Sequence, residues 1–206
     1  IMYSKKEELL NTLTHFFGLI LTIIGIPFML YFNNDYTEYS LFSIILFLFG
    51  LFCVYLTSTI YHYTTNNKLK SVFQKLDHIS IFYLILGSYA PVCLITLLDF
   101  SGINIFLIVF ILAIIGTILK VFFTGKIEKA SLLLYLIMGW LIISDIGTLF
   151  SLIPVQAKIL LAISGFSYTI GVLFYRSNKQ YAHTIWHLFV LSGSITHYFF
   201  VIGYII

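Results

Sequence analysis

Seven runs of about 20 mostly apolar residues, parted only by short polar breaks, leave this chain few ways to fold. Wound as an α-helix at about 1.5 Å per residue, each run is as long as the hydrocarbon core of a bilayer is thick. In lipid every backbone N–H and C=O must be satisfied, and a helix satisfies them within itself. The pattern predicts an all-α polytopic membrane protein, a seven-transmembrane helix bundle. Its spans fall near residues 12–32, 39–61, 78–98, 102–123, 131–152, 156–175 and 184–205. The breaks are Asn33-Asn34-Asp35, Tyr63 to Asp77, Asp99 to Ser101, Thr124 to Ala130, Ile153 to Val155, and Arg176 to His183.

Composition agrees. Only 9% of the residues are charged and 60% are hydrophobic, whereas soluble domains carry about 25% charge. With no linker, low-complexity tract or internal repeat, residues 1–206 are expected to form a single domain. The first run follows Lys5 and Lys6 as a signal peptide would, but its length and the six further spans predict a retained helix. The net charge of +3 is small and dispersed, which excludes nucleic acid as a partner. Cys53 and Cys93 sit at different depths of their runs and are expected to remain free, buried thiols.

Placement of the basic residues sets the orientation, because loops that stay cytoplasmic accumulate Lys and Arg. With the N-terminus in the cytoplasm, Lys5, Lys6, Lys68, Lys70, Lys75, Lys120, Lys126, Lys129, Arg176 and Lys179 lie inside or snorkel there, and only Lys158 lies outside. The C-terminus then faces the exterior of the cell membrane, which for a bacterial chain is the inner or plasma membrane. Pro27 and Pro91 fall within spans and are expected to kink them.

In this orientation the ionisable residues gather at one depth. His15 opens the first span, His62 closes the second, Asp77 and His78 open the third, and His183 and His187 open the seventh. Ionisable groups at membrane depth are costly, so such a layer is a functional-site candidate. His183 and His187, four apart, share a helix face and can hold one zinc between them. His62 can add a third nitrogen from the facing helix. Three ligands with a fourth position left to water is the pattern of a catalytic zinc site. Asp77 at the same level is placed to act on that water as general base, and Ser58, one turn before His62, to donate to it or to an oxyanion. Each also has a plain structural reading: histidines are ordinary interfacial residues, and serines often pack between membrane helices. Asn11, His15 and His78 are not taken as ligands. Asp145 and His197, both about 21 Å along their spans, are expected to meet as a buried structural pair.

At Ser58-Thr59-Ile60-Tyr61-His62, Lys75-Leu76-Asp77-His78 and His183-Thr184-Ile185-Trp186-His187 the chain resembles the hemolysin III proteins. These are grouped with the progestin and adiponectin receptor family and, more widely, with the alkaline ceramidases. The likeness extends to Glu8-x-x-Asn11-x-x-x-His15, Gly87-Ser88-Tyr89-Ala90-Pro91, Gly139-Trp140 and His197. It implies seven helices, an internal N-terminus, and zinc held by His62, His183 and His187, with Asp77 meeting the zinc-bound water and Ser58 matching the motif serine. It further implies hydrolysis of a lipid amide such as ceramide, haemolysis, or adjustment of membrane lipids. The long N-terminal region of the adiponectin receptors has no counterpart here and the outer loops are short, which argues against a protein-hormone receptor.

The function expected first is therefore zinc-dependent hydrolysis of a lipid amide, with a membrane lipid or fatty-acyl substrate. The alternatives are a non-enzymatic sensor with structural zinc, or a pore-forming haemolysin. The polar residues form a layer and not a line across the membrane, which speaks against a pore.

Overall fold

In the computed structural model, which describes residues 4–206, the chain is helical throughout. The helices are α1 (Lys5–Tyr31), α2 (Ser40–Tyr63), α3 (Asn67–Pro91), α4 (Gly102–Phe123), α5 (Glu128–Trp140), α6 (Ile146–Leu152), α7 (Val155–Tyr175) and α8 (Ala182–Tyr204). Among the described residues seven segments are long and apolar enough to cross a membrane; α5 and α6, joined through a 3₁₀ turn at Leu141–Asp145, make up the fifth. Apolar side chains such as Phe17, Ile24, Phe49, Ile111 and Ile118 point outward, as they must where the solvent is lipid.

Two spans begin earlier than the hydropathy pattern predicts. α1 starts at Lys5, where a capping box closes its first turn: Ser4 Oγ accepts from the Glu7 N–H (3.2 Å) and Glu7 Oε2 from the Ser4 N–H (3.0 Å). α3 starts at Asn67, because Asn66 Oδ1 accepts from the N–H groups of Lys68 (3.0 Å) and Leu69 (3.2 Å). The stretch read as a loop, Tyr63 to Asp77, is therefore mostly helix, and Asp77 lies about three turns inside α3. Hydropathy registers only the length submerged in lipid, and helices continue past it.

α2 lies between α1 and α3, and α8 packs on both α1 and α7. Between membrane helices apolar burial gives little drive, so close packing of small residues must hold the contact. On α2 and α3 this is reciprocal. A Cβ on Gly50 would lie 2.5 Å from the Tyr83 carbonyl oxygen, and one on Gly87 2.7 Å from that of Leu46.

Both deeper irregularities are repaired by side chains. Pro91 ends α3 in a π turn, Val92–Thr96, and the Val92 N–H turns to the Tyr89 carbonyl. The Ser88 carbonyl, which takes that N–H in a regular helix, receives His197 Nε2–H instead (3.1 Å). Where α5 gives way to the 3₁₀ turn, Tyr89 Oη accepts from the Ile142 N–H (2.9 Å) and donates to the Gly139 carbonyl (3.0 Å). The expected pairing of Asp145 with His197 does not form. Asp145 accepts from Ser101 Oγ at the head of α4, and His197 is used on the α3 break and beside Ser164 (3.4 Å). Equal depth does not make two helices neighbours. Cys53 and Cys93 are free thiols.

Candidate metal centre

Four helix ends meet at one end of the bundle: the starts of α1, α3 and α8 and the close of α2. α8 is positioned by Tyr181, which has the left-handed backbone (φ 62°) that side chains rarely adopt. Its N–H donates to Glu7 Oε1 (2.9 Å), so the capping residue of α1 also secures the turn into α8. Two residues on is His183, and a turn further His187.

His62, His183 and His187 come together. One ligand nitrogen from each lies within 4.8 Å of the other two; the His183 and His62 Nε2 atoms are 3.3 Å apart, those of His187 and His183 3.1 Å. Two nitrogens held about 2.05 Å from a tetrahedral ion lie about 3.3 Å from each other.

The outer partners of the rings decide what those nitrogens carry. His62 Nδ1 lies 2.7 Å from Glu8 Oε2, a carboxylate that only accepts, so Nδ1 is the protonated nitrogen and Nε2 presents a lone pair. His187 Nδ1 lies 3.2 Å from the Asn11 carbonyl and 3.1 Å from Thr14 Oγ1; the carbonyl again demands a donor, which frees Nε2. At least two lone pairs thus converge on one point at which His183 can offer a single proton. A cation with affinity for imidazole resolves that conflict, so the donor set fits a metal ion.

α1 supplies the bracing. Glu8 also pairs with Lys70 Nζ (2.9 Å), which donates to the Tyr61 carbonyl (3.1 Å). Asn11 Oδ1 accepts from Thr184 Oγ1 (2.6 Å). His15 is buried with its ring stacked on His187 (centroids 3.6 Å apart), and among the described residues neither of its nitrogens has a hydrogen-bonding partner. Glu8, Asn11 and His15 fall on one helical face, three and four residues apart. Their pattern is visible in the sequence, but a first span begun at residue 12 leaves Glu8 outside the helix and its bond to His62 unseen.

Asp77 and Ser58 are buried and face each other between α3 and α2. The Asp77 carboxylate is not part of the three-nitrogen group. Both residues border the same cavity as His183 and His187, a space of about 820 Å³ running between α3, α5 and α7 to His197. His78 lies half-buried on the cavity lining. Its Nδ1 accepts from Lys120 Nζ (3.4 Å) and its carbonyl from Tyr135 Oη (2.6 Å). Lys120, read from the sequence as an interfacial cation, is fully buried and paired with Glu128 (2.6 Å).

The chain matches the haemolysin-III-related family over residues 3–198. It is 35% identical to the hemolysin-3 homolog of Bacillus subtilis (strain 168) over 98% of this chain and 96% of that protein. It is 37% identical to hemolysin-3 of Bacillus cereus, over 98% and 93%. Against the human monocyte to macrophage differentiation factor it is 28% identical over 97% and 84%. No solved structure matches the chain.

Proposed function

The chain belongs to the haemolysin-III-related family, and from that premise we propose that it is a zinc-dependent hydrolase of lipid amides, of the ceramide kind, serving membrane lipid homeostasis in the cell membrane. The observation that carries this reading is the group of three imidazoles, each with a nitrogen within 4.8 Å of the other two, of which His183 and His187 line a cavity large enough for a lipid chain. The zinc is assigned to His62, His183 and His187 because a three-imidazole set of tetrahedral spacing with an open side suits that metal. The N-terminus is assigned to the cytoplasm on the ten-to-one distribution of basic residues, which sets the centre near the inner face.

His62, His183 and His187 would hold the zinc, which would supply a Lewis acid for the amide carbonyl and lower the pKa of a water molecule. The residues of the chain do the rest. Apolar side chains of α3, α5 and α7 hold the acyl chain and exclude bulk water from the amide. An Asp77 carboxylate oxygen takes a proton from the attacking water and passes it to the departing nitrogen. The water oxygen becomes bonded to the acyl carbon and the C–N bond breaks, leaving a fatty acid and an amine. Ser58 Oγ–H donates to the carbonyl oxygen as negative charge develops on it. Glu8 and Asn11, through His62 and His187, keep the ligand nitrogens aimed.

A second reading has an observation of its own. The histidines come from α2 and α8, whose backbones do not run against each other, so the same zinc would also clasp the bundle, as in a sensor without turnover.

The test is zinc content by elemental analysis of the purified protein and of His62→Ala and His187→Ala, each monodisperse in detergent, together with release of fatty acid from a lipid amide. The expected result is near-stoichiometric zinc and turnover in the parent protein and loss of both in the variants. Zinc without turnover leaves the structural reading; an absence of zinc overturns both.

A further inference from the structure

The cavity has a polar mouth whose charge the proposed hydrolysis does not use. Every exposed residue of its lining belongs to α5, α6, α7 or the turns adjoining them, so it opens to the surroundings between these helices. The charged residues of that mouth are Glu128, Lys129 and Arg176. Glu128 is committed elsewhere: Oε2 to Lys120 Nζ (2.6 Å) and Oε1 to the Gly125 N–H (2.9 Å). Among the described residues no carboxylate lies within ion-pair distance of Lys129 or Arg176. Two uncompensated cations thus border the opening, one on the α5 wall and one at the end of α7.

We propose that Lys129 and Arg176 form a head-group site at the mouth of the cavity, taking a lipid whose head carries an anionic phosphate while its chain occupies the space between α3, α5 and α7. The physical argument is complementarity. The residues stand where spans end, at the level of the phosphates of a bilayer, and there each basic side chain draws anionic lipid. The guanidinium fork suits two phosphate oxygens and the ammonium a third. A neutral head would leave both cations to water alone. The volume of about 820 Å³ lies within the range of about 300–1,000 Å³ usual for small-ligand pockets. The inference rests on the reading of this cavity as a lipid site and narrows the lipid amide to one whose head carries an anionic phosphate, in preference to neutral ceramide itself.

Two tryptophans, Trp140 and Trp186, both line the cavity. Trp186 packs against Tyr175, the neighbour of Arg176, with ring centroids 5.4 Å apart and the planes tilted by 57°, and so reports on the mouth. Phosphatidylglycerol and diacylglycerol with the same brominated chains are titrated into Trp140→Phe protein in non-ionic detergent, and quenching of Trp186 is followed. The phosphate lipid is expected to quench at about tenfold lower mole fraction than diacylglycerol, with the preference weakened by salt and abolished by Lys129→Gln with Arg176→Gln. Lys126→Gln with Lys179→Gln, in the same turns but off the lining, should retain it. Equal quenching by the two lipids overturns the proposal, as does equal loss in both pairs of variants, which would mark diffuse surface attraction only. Zinc content and fatty-acid release measured on the same samples separate the two proposals: selective quenching without metal or turnover sinks the hydrolase alone, and turnover without selectivity sinks the head-group site alone.

Discussion

At the scale of single residues, the centre is defined less by its three histidines than by what stands behind them. An imidazole near a metal has two nitrogens, and its value as a ligand depends on which one carries the proton. Glu8 and the Asn11 carbonyl make that choice for His62 and His187. Glu8→Gln preserves the shape but removes the charge that fixes the His62 tautomer. It should weaken metal binding by about 10–100-fold, read by competition against a chelator in detergent; unchanged affinity would show that His62 is oriented by packing alone. The clustering of the three histidines was legible in the sequence because the i, i+4 pair and the depth layer are both periodic features. Glu8 as a partner of His62 was not, since nothing local places residue 8 beside residue 62. His197 makes the same point from the other side: its partner is the Ser88 carbonyl and not Asp145.

At the scale of elements, irregular backbone inside the membrane is tolerated where a neighbour can complete it. Tyr89 serves the break between α5 and the 3₁₀ turn, and His197 serves the break after Pro91. Pro91 announced its kink in the sequence, whereas nothing local marked the 3₁₀ turn at Leu141–Asp145. The tight element pair is α2 with α3, where Gly50 and Gly87 each meet the partner's backbone. Backbone cannot swing aside as a flexible side chain can, so Gly87→Val must part the helices. The expected cost is about 1–3 kcal/mol or more, seen as a lowered melting temperature in detergent. A variant as stable as the parent would show that the contact is looser than the geometry implies. Because Ser58 on α2 and Asp77 on α3 line the cavity, the proposed hydrolysis should also fall in the same variant.

At the scale of the whole molecule, the proposed orientation takes the seven candidate spans to carry the chain from one face to the other and reads the faces from the basic residues. Single-cysteine labelling tests that assignment, since Cys53 and Cys93 both lie within spans and contribute little background. In intact cells Glu38→Cys is expected to react with an impermeant thiol reagent and Lys126→Cys only after lysis; the reverse pattern would invert the bundle and move the metal centre to the outer face. The arrangement also explains why a lipid could reach a centre enclosed by helices. α5 and α6 are lightly packed on their neighbours, with Ser131, Met138 and Leu149 their buried residues, and the cavity opens on that side.

The sequence by itself determined the number of spans, the apolar outer surface and the gathering of polar residues in one layer, because hydropathy and helical periodicity are local properties that a bilayer reads directly. It also marked His62, His183 and His187, through spacing and depth. Only the tertiary structure decided that their Nε2 atoms converge, that Glu8 and Asn11 hold the other nitrogens, that Lys120 is buried against Glu128 while Lys129 and Arg176 stand uncompensated, and that the cavity lies between α3, α5 and α7. Those are relations between helices far apart in the chain. They depend on which helices become neighbours and how each is turned about its axis, and close packing of small residues settles that where the hydrophobic effect is indifferent.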